Sequence, residues 1–182
     1  MKRVIFIEPS IDNGKVIESI FRKYNPDSSF VNPHICLVFP FESDLNTQEI
    51  DIIFQKVLKK YDNFNIVLSG LSISYEENNN FLFLNVLDED GILKKISEEL
   101  YECLGTNAIL KGTYIPHITI GKSKSIEEIN SINTIASNLL TSKFTAEIKL
   151  ISSKILVRNP EGNISLEKEI EYYLSQKIKN FK

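Results

Sequence analysis

The chain has 182 residues, 42 % hydrophobic and 25 % charged, which fits one substantial domain or two small lobes sharing a core. A net charge of −3 argues against a protein that holds polyanions by bulk electrostatics, and no apolar run approaches the roughly 20 residues that cross a bilayer. The apolar run Val4–Ile7 is too short for a signal-peptide core, so the expected compartment is the cytoplasm, where Cys36 and Cys103 would stay reduced.

In chain order, residues 3–8 read as a buried strand ended by Pro9. Val16, Ile17, Ile20, Phe21 and Tyr24 form one apolar stripe at helical spacing. Residues 33–41 are strand-like. Asn46 with Glu49 three residues on predicts a capped helix striped by Ile50, Phe54, Val57 and Leu58. Strands are expected over 65–74 and 81–87, joined by an Asn-rich turn at 78–80. Ile92, Ile96, Leu100 and Leu104 stripe a third helix, and 114–121 is a strand. Ser125 with Glu128 suggests a second capping box, opening a helix striped by Ile129, Ile132 and Ala136. Phe144, Ala146, Ile148 and Leu150 alternate as a strand does. Asn159–Gly162 is a turn between two short strands, and the tail from Glu167, with Ile170, Tyr173, Leu174 and Ile178, predicts a last helix. The strand–helix–strand rhythm occurs twice with no linker between. That predicts an α/β (α+β) fold of two related lobes within a single domain spanning residues 1–182.

The chain's two histidines stand in matching contexts, Pro33-His34-Ile35-Cys36-Leu37 and Pro116-His117-Ile118-Thr119-Ile120. Side chains two apart on a strand share a face. His34 therefore shares a face with Cys36, and His117 with Thr119, each backed by apolar residues. Two such strands side by side would floor a cleft with two imidazoles and two small donors. Histidine titrates near neutrality, so one ring can take a proton from a nucleophile while the other gives one to a leaving oxygen. Zinc held by two histidines and a cysteine lacks an evident fourth ligand. Residues 109–158 carry seven Lys and Arg against three Glu, which admits either a solvated face or a positive wall beside a small anionic site.

These residues resemble the paired motifs of the two-histidine (2H) phosphoesterase superfamily, which includes 2′-5′ RNA ligases and cyclic nucleotide phosphodiesterases. The first motif, His-x-Thr-Leu-x-Phe, appears as His34-Ile35-Cys36-Leu37-Val38-Phe39. The second, commonly His-x-Thr-x-x-Arg, appears as His117-Ile118-Thr119-Ile120-Gly121-Lys122. The resemblance implies a bilobal LigT-like fold, with two pseudo-symmetric lobes of antiparallel sheet and outer helices around a central cleft. It implies hydrolysis of 2′,3′-cyclic phosphates, or chemistry at 2′-5′ linkages, on a small nucleotide or RNA terminus. His34 and His117 would be the acid–base pair. Thr119 and Cys36 would contact phosphate, and Lys122 would stand for the arginine, although simple alternation puts it on the opposite face from Thr119. Tyr114 is a candidate base-stacking residue, whereas alternation sends Phe39 to the core. No metal, cofactor or membrane is implied, and a monomer is the simplest expectation. The rival readings are a non-catalytic binder that keeps the cleft, favoured by the weaker thiol donor at Cys36, and a structural domain with coincidental histidines.

Overall fold

The computed structural model describes residues 1–110, 112–158 and 164–175. The elements run β1 (Lys2–Ile7), β2 (Ser10–Ile11), α1 (Lys15–Tyr24), β3 (Ile35–Glu42), α2 (Thr47–Leu58), β4 (Phe64–Tyr75), β5 (Asn80–Leu87), α3 (Ile92–Leu104), β6 (His117–Ser123), α4 (Ile126–Leu139), β7 (Phe144–Ile148), β8 (Leu150–Arg158) and β9 (Ile164–Tyr173). A 3₁₀ turn over Pro26–Ser29 follows α1. The expected turn at 159–162 and the tail residue Ile178 lie outside the described residues.

The nine strands among the described residues join one antiparallel sheet in the order β2-β7-β4-β5-β6-β3-β1-β8-β9. The two histidine strands meet at its centre, with Ile35 paired to Ile118. About that junction the order is symmetric: β5 flanks β6 as β1 flanks β3, and β4 and β8 lie one strand further out.

The helices cross between lobes. The helix after β1, α1, packs on β6 and α4. The helix after β5, α3, packs on β3 and α2. Their buried stripes, Ile17 and Ile20 on α1 and Leu93, Ile96, Leu100 and Leu104 on α3, meet the inward Ile35, Leu37, Ile118 and Ile120 of the central strands in one continuous core. Burying each such side chain contributes about 1.5–3 kcal/mol.

Local chemistry fixes the helix starts. At α2, Asn46 Oδ1 accepts from the Glu49 N–H (3.1 Å) and Glu49 Oε2 accepts from the Asn46 N–H (2.8 Å), a reciprocal capping box. At α4 only half of the expected box forms. Ser125 Oγ accepts from the Glu128 N–H at 3.1 Å, while the Glu128 carboxylate takes the Ser123 hydroxyl instead. The tail corrects a second expectation, because residues 164–173 form β9, paired along its length with β8. The helical spacing of Ile170, Tyr173 and Leu174 is overridden by the open edge that β8 offers.

Candidate active site

The Ile35–Ile118 pairing organises everything around the histidines. Extended one residue either way, an antiparallel register sets His34 across from Thr119 and Cys36 across from His117. Directly opposed side chains share a face, so all four lie on one face of the sheet, with the two histidines on a diagonal roughly 7–8 Å apart at the backbone. The structure brings His34, Cys36, His117 and Thr119 together there, each half-buried, above a fully buried Ile35, Leu37, Ile118 and Ile120.

Each imidazole is held the same way. His34 Nδ1 lies 2.8 Å from the Asn32 carbonyl oxygen, and His117 Nδ1 lies 2.8 Å from that of Ile115. A carbonyl only accepts, so Nδ1 carries the proton in both rings and Nε2 presents a lone pair. Each ring also packs on a phenylalanine of the flanking strand: His34 on Phe6 (centroids 5.0 Å) and His117 on Phe83 (4.0 Å). Phe6 pairs with Cys36, and Phe83 with Thr119, so the two half-sites repeat each other. Burial lowers the pKa of both histidines below the ordinary 6.5, against the opposing pull of the carbonyl each one touches. Burial also pushes the Cys36 thiol up to about 12, so it stays protonated as a donor.

A β-bulge decides where Lys122 goes. Phe83 pairs with Thr119, Leu82 with Gly121 and Phe81 with Lys122, so β6 holds one extra residue between Thr119 and Gly121. Ile120 and Gly121 both turn inward. Lys122 thereby returns to the face of Thr119, contrary to the alternation expected from sequence. Its ammonium pairs with Asp27 Oδ2 at 3.2 Å and lies 5.9 Å from the Phe81 ring centre.

The same device recurs on β3. Cys36 pairs with Phe6 and Val38 with Ile5, so Leu37 and Val38 are both buried. Phe39 comes out on the face of Cys36, 43 % exposed, which corrects its expected place in the core. Tyr114 is the opposite case. It is 4 % exposed, and its hydroxyl donates to the Cys36 carbonyl at 2.9 Å. With no open ring face for a base, it supports the β3 backbone beneath the site, which corrects the stacking expectation.

Sequence reasoning missed several neighbours. Asn85 pairs with His117, and its Oδ1 accepts from Ser72 Oγ at 2.6 Å. Glu8 and Lys154 form an ion pair at 3.1 Å beside His34. Phe6 and Phe83 stand two residues before Glu8 and Asn85, a parallel visible only once the register is known. A cavity of about 780 Å³, lined in part by Glu8, Pro9, Ile11, Gly14, Asn32 and Pro33, opens at the start of α1.

The chain is similar to known proteins in sequence and in fold. The family model of the 2′-5′ RNA ligase superfamily matches residues 7–152. A protein of Halalkalibacterium halodurans named "Putative phosphoesterase BH1439" is 28 % identical over 128 residues, covering 67 % of this chain and 70 % of the relative. Among solved structures, Usb1 of Kluyveromyces marxianus with uridine monophosphate superposes with a TM-score of 0.61 at 11 % identity, covering 95 % of this chain and 98 % of that one. LigT of E. coli complexed with 3′-AMP superposes at 0.59 and 12 % identity, covering 96 % and 98 %. At such identities the structural likeness speaks for the fold, which is LigT-like. The family match spans most of the chain and includes both histidine strands, so the chain belongs to the 2′-5′ RNA ligase superfamily.

Proposed function

We propose that the protein is a phosphodiesterase that needs no metal and opens 2′,3′-cyclic phosphates, or cleaves 2′-5′ phosphodiesters, at the end of a nucleotide or RNA. The observation that carries this reading is the Ile35–Ile118 register, which sets two Nδ1-protonated imidazoles diagonally on one face with Thr119 and Cys36 completing the square.

A cyclic phosphate fits such a square. One non-bridging oxygen accepts from the Thr119 hydroxyl and the other from the Cys36 thiol, which supports the negative charge that grows there in the transition state. One Nε2 takes a proton from water as its oxygen bonds to phosphorus. The other, protonated, gives its proton to the departing ribose oxygen as the P–O3′ bond breaks, leaving a 2′-phosphate and a 3′-hydroxyl. Lys122 lies on the same face, where its ammonium, shared with Asp27, can give phosphate a point contact rather than a bidentate fork. Phe39 offers an exposed aromatic face to a base.

The test is turnover of 2′,3′-cyclic nucleotides in excess chelator. His34→Ala and His117→Ala should each lower kcat by about 10²-fold or more, the scale of general acid–base groups, with little change in product binding. A protein that binds 2′-phosphates but shows no turnover with any cyclic phosphate would instead be the non-catalytic binder that the Cys36 thiol, a weaker donor than a hydroxyl, would suit.

A further inference from the structure

The half-sites match in their imidazoles, carbonyls and phenylalanines but not in what lies beyond. Two residues after Phe83 comes the neutral Asn85. Two residues after Phe6 comes Glu8. Glu8 Oε1 takes the Lys154 ammonium at 3.1 Å, and Glu8 Oε2 accepts from Asn32 Nδ2 at 3.2 Å. Asn32 is the residue whose carbonyl holds His34 Nδ1. Lys154 pairs with Val4 on β1 and so shares the face of Phe6, and its ammonium lies 4.8 Å from the centre of the ring on which His34 packs. The ion pair thus reaches His34 by two routes, a hydrogen-bonded chain through Asn32 and a shared contact on Phe6. On the other side, Ile115 is 70 % exposed and hydrophobic, and among the described residues the position matching Glu8 holds the neutral Asn85.

We propose that the Glu8–Lys154 pair is a positioning device for His34 alone, fixing that ring and its electrostatic surroundings so that the two matched imidazoles become unequal acids. The inference rests on reading the histidines as an acid–base pair, because concerted transfer needs one ring that holds its proton and one that does not. The charged groups near His34 are Glu8 from the end of β1, Lys154 from β8 and Asp27 from the turn after α1, with Lys122 of β6 on Asp27. Glu8 and Asp27 favour the imidazolium and Lys154 opposes it, whereas among the described residues His117 is acted on by burial and the Ile115 carbonyl.

The test needs no substrate. The chain has two histidines, so an NMR pH titration of its imidazoles gives two curves, assigned with His34→Ala and His117→Ala. Glu8→Gln keeps the size and an acceptor oxygen while removing the charge. It should lower the His34 pKa by about 0.5, since a charge in close contact moves a pKa by a full unit or more and Glu8 reaches His34 through Asn32, with Lys154 offsetting it. Lys154→Met should raise it by a similar amount, and His117 should stay put in both. In kcat/KM against pH, each variant should displace one limb only, changing the rate on that limb about threefold. Equal movement of both histidines, or movement of neither in folded Glu8→Gln and Lys154→Met proteins, overturns the inference. Selective movement of His34 without any phosphodiesterase turnover leaves it standing and counts against the proposed reaction instead.

Discussion

Cys36 occupies the position across from His117 that mirrors Thr119 across from His34, and burial keeps its thiol protonated. A thiol in that place donates more weakly than a hydroxyl. Cys36→Thr should therefore keep or raise kcat on a cyclic phosphate, and a large loss in steady-state assays would assign the sulfur a separate task. The histidines carry a second expectation. Both pKa values lie below 6.5 in the free protein, and the reactive form needs one ring neutral and one protonated. The bell-shaped profile of kcat/KM, which reports the free enzyme, should peak below pH 6.5. The histidines, Cys36 and Thr119 were legible from sequence because strand alternation runs undisturbed from each histidine to its partner. Lys122 and Phe39 were not, because each lies just past a bulge, and one inserted residue reverses the face of everything after it.

The bulge in β6 depends on Gly121. A Cβ there would come within 3.3 Å of Ile132 Cγ2 on α4 and 3.4 Å of Leu82 Cβ on β5. Gly121→Val should cost about 1–3 kcal/mol by overpacking, seen as a lower midpoint in urea, and should weaken substrate binding by shifting Lys122. On the opposite face, β1, β8 and β9 are tied together by Arg3, which is fully buried. Its guanidinium holds Glu169 at 2.9–3.0 Å, while Ser153 and Thr47 donate to the same carboxylate at 2.8 and 3.1 Å. Glu169→Ala would leave that arginine buried without a counter-charge and should cost about 3–5 kcal/mol in denaturant unfolding. This tie also explains why the tail escaped sequence reading. Glu169 sits in a stretch of good helix formers, and it takes long-range partners, the edge of β8 and Arg3 166 residues away, to make a strand of it.

The architecture as a whole was readable from the repeated strand–helix–strand rhythm, but the crossing of α1 and α3 between lobes was not, since periodicity tells which face of a helix is buried and not against what. Acid should weaken the fold in two stages. His34 and His117 have pKa values lowered by folding, so below pH 6.5 the unfolded chain binds more protons and stability falls. Burial works to raise the Glu169 pKa, but Arg3, Ser153 and Thr47 outweigh it and hold it below 4.5, so a further loss begins as pH drops past that value. Melting temperatures at pH 8, 6, 5 and 4 should decline in that order, with a smaller last step in the Glu169→Gln variant.

Because each lobe borrows a helix and strands from the other end of the chain, neither stretch of sequence owns a complete core. A chain cut in the short connection after α2 would yield an amino-terminal piece holding β1, β3 and the helix that shields β6. The carboxy-terminal piece would hold β6, the strand β8 that borders β1, and β9 beyond it. Expressed apart, each piece should stay unstructured by circular dichroism. Mixed, they should rebuild one protein and regain both imidazoles on a common floor, which makes this scaffold suited to split-protein complementation.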